Sequence, residues 1–204
     1  MNTSQFSTKE RILGAAETLF ARHGFAGASL RQVTSAAKVN LAAVNYHFGS
    51  KDNLIEEVFR RRLDELNGRR VAALKGAGED ASLDALLGAY IRPALELSLD
   101  TDGGSAFVRV LARAYAEHNE RLRKFLSDNY GHVLRLFAAQ FAKQLPHLSK
   151  EELYWRLDIV SGALTYAMAD FGVIQRRAQD SEAQHRALAA EHLIHFAAAG
   201  LRAP

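Results

Sequence analysis

A short segment of the chain, VNLAAVNYHFGSKDNL from Val39 to Leu54, concentrates side chains that can make polar contacts. Asn45, Tyr46 and His47 stand side by side in its middle and are followed by Phe48. Amide, phenol and imidazole groups donate and accept hydrogen bonds, so this group suits contact with a polar partner better than burial in a helix core. The segment is therefore the first candidate for a binding surface.

Two other pairs of residues have the spacing of metal ligands. Glu182 and His185 lie three residues apart, as in the carboxylate-bridged di-metal sites of helical bundles, and His192 and His195 share that spacing. Such a site needs the Glu-x-x-His element twice, and the sequence has no second copy; the HExxH and GxSxG motifs are missing too. A metal-dependent enzyme on a helical bundle is therefore the alternative reading. We predict no enzyme, catalytic residue, metal or cofactor.

The chain has the pattern of an all-α protein. Apolar residues recur at three- and four-residue steps, strand-like runs of β-branched residues are missing, and the three prolines stand at positions 93, 146 and 204. With 204 residues, of which 48% are hydrophobic and 24% charged, the chain can bury a sizeable core. About nine helices are predicted.

Capping residues mark the first two helices. Ser7 to Glu10 and Ser29 to Gln32 are capping boxes, in which a serine hydroxyl and a Glu or Gln side chain each bond the other residue's backbone amide. The first helix is predicted to end at Gly24 and the second near Lys38.

A third short helix follows over residues 41–48, with Asn40 as its N-cap and Gly49 just after its end. Two short helices across a tight turn, preceded by a longer one, predict a helix-turn-helix unit, whose last helix lies in the DNA major groove. Val44 and Phe48, four residues apart, would then face the small core. A helical hairpin with polar side chains exposed by chance is the alternative.

The distribution of charge favours a polyanionic partner for this part of the chain. Residues 1–51 hold six basic and two acidic residues, a net charge of +4, whereas the whole chain carries +3 and the remainder therefore −1. A basic region beside a near-neutral one indicates that the first meets nucleic acid and the second does something else. A ligand-independent architectural DNA-binding protein would need a shorter or far more basic chain.

Residues 7 to about 60 contain LFARHGF, then SLRQVTSAAKVN, then a short helix ending in YHFGSK and followed by NLIEEVF. This arrangement resembles the DNA-binding domain of TetR-family transcriptional repressors. The resemblance implies a homodimer on double-stranded operator DNA, with a variable helical carboxy-terminal domain that binds a small effector and releases the DNA. The motifs NLAAVNYHFGSK and AYAEHN also resemble the fatty-acid-responsive branch of the family.

The resemblance assigns DNA contacts residue by residue. It places a phosphate-binding hydroxyl and a guanidinium at the start of the second helix, base-reading side chains on the third helix, and phosphate contacts at its end and just beyond. Many relatives have Tyr or a hydroxyl residue where Ala43 and Asn45 stand, so base preference is not transferred. The predicted DNA-binding residues are Ser29, Arg31, Leu41, Ala42, Ala43, Asn45, Tyr46, His47 and Lys51.

The rest of the chain is predicted to hold the ligand pocket. We predict a DNA-binding domain over residues 1–52 and a ligand-binding and dimerisation domain over residues 53–204. The later helices of the second domain are predicted near 105–117, 119–144, 150–170 and 181–200. Large apolar side chains of the middle helices permit a pocket, although plain core packing is the usual role of such residues. Two arginines one turn apart could pair with a ligand carboxylate, or else be exposed. The candidate ligand-binding residues are Tyr90, Phe107, Arg109, Leu111, Arg113, Tyr130, Phe137, Phe141, Trp155 and Met168.

The last two helices are rich in alanine and other small residues, which allow close helix approach and predict a four-helix dimer interface, with an intramolecular pair as the alternative. The chain has no cysteine, no signal-like start and no long apolar run, which predicts a cytoplasmic protein. The sequence is interpreted as a dimeric repressor that binds a palindromic operator and is released by a small hydrophobic effector, such as a fatty acid or acyl-CoA.

Overall fold

The computed structural model describes residues 7–99, 104–169 and 176–204. Over these ranges it contains nine α-helices and no strand, which confirms the predicted all-α fold. The helices are α1 (Thr8–Gly27), α2 (Leu30–Ala37), α3 (Leu41–Phe48), α4 (Lys51–Ala77), α5 (Leu83–Leu97), α6 (Gly104–Ala116), α7 (Glu120–Gln144), α8 (Lys150–Met168) and α9 (Glu182–Arg202). Within these same residues, no helix is both long and apolar enough to cross a membrane.

Helix starts follow the capping rules. Ser7 and Ser29 each form a complete capping box, with Glu10 and Gln32 respectively, and α9 begins with a third box at Ser181. Each hydroxyl accepts a backbone amide that the first helical turn leaves unpaired. These local bonds explain why the starts could be read from the sequence.

Gly24, the predicted end of the first helix, has a non-helical conformation (φ 72°, ψ 175°) that breaks α1 at this residue. A further short helical stretch follows the kink and ends at Gly27. Pro93 lies inside α5, which runs on to Leu97. A proline inside a helix has no amide hydrogen to donate to the preceding turn.

The described residues form two compact units, whose limits fall within α4 and α7. The first unit comprises the residues up to 63 together with 104–125. Its core contains Phe20, Phe25, Phe59 and Phe107, whose successive ring centroids lie 5.6, 6.3 and 5.6 Å apart. A buried ion pair crosses this core, with Arg62 Nε of α4 3.1 Å from Glu17 Oε1 of α1.

The second unit comprises residues 64–99, 126–169 and 176–204, in which α5 packs against both α8 and α9. Its core is built from leucine, isoleucine and aromatic side chains, including the fully buried Ile91 and Phe137. The rings of Tyr90 and Phe137 pack edge-to-face with centroids 5.2 Å apart, and Arg70 lies over the Tyr90 ring with Cζ 3.9 Å from its centroid.

Candidate nucleic-acid interface and ligand groove

The turn between α2 and α3 is held by the first helix. Lys38 adopts a left-handed conformation (φ 54°, ψ 50°) that reverses the chain within three residues. Arg11 Nη2 of α1 donates to the carbonyl oxygens of Ala37 at 2.6 Å and Lys38 at 2.8 Å. These carbonyls have no partner within α2, so the guanidinium both satisfies them and fixes the angle at which α3 leaves the turn.

The third helix divides into a buried and an exposed face. Val44 and Phe48 are 0% and 5% exposed, as predicted for the core face. Tyr46 is 86% exposed, and its ring lies edge-on to that of His47 at 5.1 Å. Of the other predicted DNA contacts, Leu41, Ala42 and Asn45 are exposed and Ala43 is half-buried. One helix face thus presents apolar, amide, phenol and imidazole groups to solvent.

The end of α3 is built as a tight turn into α4. Gly49 (φ 72°) donates its amide to the Asn45 carbonyl at 2.9 Å, and Ser50 Oγ accepts the Asn53 amide at 3.1 Å. Lys51 is the first residue of α4 and is half-buried. A helix start attracts anions through its free amides and its dipole, so the Lys51 charge and the helix act in the same direction.

The start of α2 differs from the sequence interpretation in one respect. The Ser29 hydroxyl donates to Gln32 Oε1 at 2.9 Å and accepts from the Gln32 amide at 3.2 Å, so its hydrogen bonds are made inside the capping box. Arg31 is exposed, and its side chain has no partner among the residues described. A phosphate at this site would therefore meet the Arg31 guanidinium more readily than the hydroxyl.

Lys9 of α1 contacts Phe48 of α3 and Glu57 of α4. Lys9 Nζ lies 2.9 Å from Glu57 Oε2 and 6.0 Å from the centroid of the Phe48 ring, while Arg60 Nε lies 2.9 Å from Glu57 Oε1. Partial burial opposes ionisation of Glu57, but the hydrogen bonds from Lys9 and Arg60 outweigh it and lower the pKa of its carboxyl group. Lys9 thus forms an ion pair with Glu57, while its side chain remains 48% exposed.

The predicted ligand-binding residues are divided between the two units. Four of them belong to α6 in the first unit: Phe107 is buried against Phe59, Leu111 is half-buried, and Arg109 and Arg113 are exposed. Arg113 Nη2 lies 3.4 Å from the carbonyl oxygen of Arg22. The six others lie in the second unit, where Tyr90, Phe137, Phe141 and Met168 are buried, Tyr130 is half-buried with its hydroxyl 2.8 Å from Asp64, and Trp155 is exposed.

An open groove of about 630 Å3 lies between α7 and α8. It includes Trp155, and the Tyr90 hydroxyl reaches its edge through a 3.1 Å hydrogen bond to Ser161. The other lining residues were not among the predicted ligand-binding residues, although Glu151, Tyr154 and Asp158 share one face of α8 with Trp155 at helical spacing. The lining residues are Leu134, Lys150, Glu151, Tyr154, Trp155, Asp158 and Ser161.

Large apolar side chains are exposed on the last two helices. On α8, Ile159 is 63% and Tyr166 52% exposed; on α9, Leu188 is 47% and Phe196 71% exposed. Several of the small residues of α9, such as Ala190 and the pair at 197–198, are buried within the second unit. The metal-like histidines of α9 lie at its surface or half-buried, and no cluster of three metal-ligating side chains occurs in the ranges described.

A basic, three-helix unit with a solvent-facing third helix defines the class of helix-turn-helix DNA-binding proteins. The model for bacterial regulatory proteins of the tetR family matches residues 12–58, and the model for the tetracyclin repressor-like C-terminal domain matches residues 88–200. The chain belongs to the TetR family, whose members are DNA-binding transcriptional regulators rather than enzymes.

Curated relatives match mainly in the first part of the chain. The transcriptional repressor KstR2 of Rhodococcus jostii is 32% identical over 80 residues, which cover 39% of each protein. The transcriptional repressor Rv3405c of Mycobacterium tuberculosis is 35% identical over 114 residues, covering 56% of this chain and 50% of that one. The matched regions thus span half or less of these relatives.

Solved structures match over nearly the whole chain. A putative tetR-family regulator from a Shewanella species superposes with a TM-score of 0.67 at 18% identity, covering 96% of both chains. PfmR of Thermus thermophilus superposes with a TM-score of 0.62 at 20% identity, covering 92% of this chain and 94% of that one. At these identities the likeness establishes the shared all-α fold.

Proposed function

We propose that this regulator is a repressor that binds a palindromic operator as a homodimer and leaves it when a small hydrophobic effector binds. The observation that carries the proposal is the exposed face of α3, with Tyr46 86% exposed beside Asn45 and His47. In this proposal residues 1–52 bind DNA and residues 53–204 supply dimerisation and effector binding. The matched relatives named as repressors support the sign of the regulation.

The DNA contacts divide by chemistry. Arg31 and Lys51 are placed at helix starts and bring full positive charges, which suits phosphates. Leu41 and the alanines at 42 and 43 suit thymine methyl groups, while the Asn45 amide suits an adenine edge or a phosphate. Tyr46 and His47 add hydroxyl and imidazole donors for the DNA backbone, while Ser29, whose hydroxyl bonds Gln32 in the capping box, lies at the α2 start beside the Arg31 contact.

Dimerisation is assigned to the exposed apolar face of α8 and α9. Ile159, Tyr166, Leu188 and Phe196 are each roughly half or more exposed, which is unusual for large apolar side chains unless a partner covers them. Two helices from each of two chains would form a four-helix interface, and the two-fold axis would explain a palindromic site.

The α7–α8 groove is our candidate effector site. Its volume of about 630 Å3 falls in the range of small-molecule pockets, and Tyr154 and Trp155 give it an aromatic wall. Glu151 and Asp158 stand one turn before and after these rings, and neither carboxylate has a charged or hydrogen-bonding partner among the described residues. Among the residues that line the groove, Lys150 is the single positively charged one.

This lining favours an apolar or aromatic effector that carries a positive charge, because aromatic faces and carboxylates both attract cations. A fatty acid or acyl-CoA is the other candidate class, with Arg109 or Arg113 as the partner of its acidic head. Both arginines are exposed on α6, outside the groove.

A thermal-shift screen separates these classes. The panel comprises saturated acids of increasing length, acyl-CoAs, uncharged aromatics and polycyclic cations, tested on the wild type and on Asp158→Asn, Trp155→Leu and an Arg109→Ala/Arg113→Ala double variant. At a hundredfold excess over Kd, a true ligand raises the melting temperature by about 5 to 10 °C. If cations raise the melting temperature of the wild type but not of Asp158→Asn, the effector site is the groove. If acids raise it more as their chains lengthen, and the effect is lost in the double arginine variant, the effector is of the acyl class.

Release from DNA completes the test. The operator is first recovered by selection from a random duplex library with wild-type protein, and each stabilising compound is then titrated into the complex. Release at concentrations that also stabilise the protein supports ligand-responsive repression. Failure of the wild type to select any duplex would contradict the repressor proposal itself.

A further inference from the structure

Arg121, the second residue of α7, is bonded to the first turns of α4. Its Nη2 donates to Asn53 Oδ1 at 2.6 Å and its Nε to Glu56 Oε1 at 2.7 Å, while Nη1 lies 3.4 Å from Asp52 Oδ2. One guanidinium therefore uses three of its nitrogens on three neighbouring side chains. This geometry fixes the position of the Asn53 amide more tightly than a single surface contact would.

The other half of the Asn53 amide reaches the third helix. Its Nδ2 donates to the carbonyl oxygen of Phe48 at 2.8 Å, and Phe48 is the last residue of α3. Because the Arg121 guanidinium can only donate, it orients the amide with oxygen outward and leaves the NH2 group for the Phe48 carbonyl. The two bonds thus join Arg121 to the end of α3 through one side chain.

The Phe48 carbonyl, at the end of α3, also accepts the Ser50 amide at 2.8 Å, so Asn53 Nδ2 is its second donor. A carbonyl at the end of a helix has no partner inside the helix, so the Asn53 bond, together with the Ser50 bond, helps to decide where the helix stops and how it is directed. Here the bond closes the end of α3 next to Gly49, whose positive φ turns the chain into α4. A change at Asn53 would therefore alter the position of Phe48 and of the preceding helical turn, which carries Asn45 and Tyr46.

We propose that Arg121 is a positioning residue for DNA recognition: through the Asn53 amide it holds the carboxy-terminal end of α3 in the orientation that contacts DNA. The inference rests on the proposed DNA-binding role of α3. It assigns Arg121 no contact with DNA, although the residue is half-exposed and positively charged.

Matched variants test the proposal on DNA. Arg121→Ala is compared with Arg123→Ala, which removes the same charge from the same helix at an exposed side chain without a partner among the described residues. Affinity for the selected operator and for an unrelated duplex is measured from low to moderate salt. We expect Arg121→Ala to lose about tenfold in operator affinity with an unchanged salt slope and unchanged affinity for the unrelated duplex. Arg123→Ala should behave as wild type.

The route through Asn53 is tested by a double-mutant cycle. Asn53→Ala should lose as much operator affinity as Arg121→Ala, and the Arg121→Ala/Asn53→Ala double variant should lose no more than either, because both changes break one chain of bonds. Glu56→Gln, which leaves the Arg121–Asn53 bond in place, should lose less than threefold. Additive losses would overturn the route, and a salt slope reduced by about one would show a direct phosphate contact instead.

A DNA-free measurement separates this inference from the proposed function. Amide hydrogen exchange at Gly49, whose N–H bonds the Asn45 carbonyl, should accelerate about tenfold in Arg121→Ala and not in Arg123→Ala, at a temperature where melts show both variants folded. Unchanged exchange in Arg121→Ala would overturn the positioning role even if DNA affinity fell. Accelerated exchange without any operator binding by the wild type would leave the positioning intact and contradict the repressor proposal.

Discussion

The Glu117 carboxylate accepts the backbone N–H of Phe25 with both oxygens, at 3.2 and 3.1 Å. The amide is free because Gly24, one residue earlier, leaves the helical conformation (φ 72°, ψ 175°). That backbone region is open essentially to glycine alone. A Cβ at position 24 would also lie 2.3 Å from Glu117 Oε1. The conformation therefore favours glycine at this position, and a side chain there would also displace the Glu117 carboxylate from the Phe25 amide.

Gly24→Ala should therefore destabilise the protein by about 1 to 3 kcal/mol from backbone strain, with a further loss from the clash. Urea unfolding at neutral pH measures the change. Removing the clash in a Gly24→Ala/Glu117→Ala double variant should not restore wild-type stability, because the strain remains. Gly14→Ala is the control: its added Cβ meets nothing within 4 Å, and alanine should stabilise that helical site by about 0.5 to 1 kcal/mol. Equal effects at the two glycines would contradict this account.

Removal of the charges at the two helix starts should weaken DNA binding whatever the DNA sequence. Arg31→Ala and Lys51→Ala are each expected to reduce the slope of log affinity against log salt by about one, since each loses one phosphate contact. Affinities from low to moderate salt, on operator and unrelated duplexes, provide the measurement. A slope equal to the wild type in both variants would remove these residues from the interface.

Alanine substitutions at Tyr46 and Phe48 of α3 should have opposite effects, the first on DNA binding and the second on stability. Tyr46→Ala is expected to abolish operator binding and to change stability by no more than about 0.5 kcal/mol, because the ring is 86% exposed. Phe48→Ala should cost about 3 to 5 kcal/mol, because its ring is buried. Circular dichroism melts of both variants decide the matter, and a larger loss in Tyr46→Ala would show that its ring is part of the core.

The ion pairs of Glu57 should make a small contribution to the free energy of unfolding that is lost at acid pH. The pKa of Glu57 lies below its ordinary value of 4.5 in the folded protein, so ionisation stabilises the fold above that value and the gain is lost as the pH falls through the folded pKa. Glu57→Gln should therefore lower stability by up to about 1 kcal/mol at pH 7, and the difference from wild type should shrink below pH 4.5. Urea titrations across this range test the sign. A difference that grew towards acid pH would mean the carboxylate is destabilising.

A charge in the exposed apolar face should separate the dimer. Phe196→Glu on α9 places a carboxylate where the proposed interface excludes water, whereas Leu136→Glu changes an exposed leucine of α7 outside that face. Analytical ultracentrifugation should show monomers for the first variant and dimers for the second. Dimers in both variants would place the interface elsewhere.

The sequence predicted those features that depend on neighbouring residues. Capping boxes at Ser7 and Ser29, the Val44/Phe48 core face and the turn at Gly49 are local, and the structure confirms them. The predicted bounds of α6, α7 and α9 agree with the structure within about two residues. The break at Gly24 is stabilised instead by Glu117, a residue 92 positions away, which no local pattern indicates.

Contacts between distant helices explain what the sequence did not reveal about the sites. Arg109 and Arg113 look like a cation pair on an apolar helix, yet α6 packs against α1 in the first unit and leaves both exposed. The groove needs Leu134 of α7 beside α8, and Arg121 gains its role by meeting Asn53. In each case the sequence shows which residue is present, but the residue that it contacts depends on how the helices pack.

Trp155 of the α7–α8 groove is the sole tryptophan of the chain. Its indole is 61% exposed, so its emission should be that of a solvated ring and should shift to shorter wavelength when an apolar compound covers it. Excitation at the red edge of the tyrosine band would report on this one position in the chain and on none of the residues of α3. Fluorescence can therefore follow occupancy of the groove while DNA is bound, without any label.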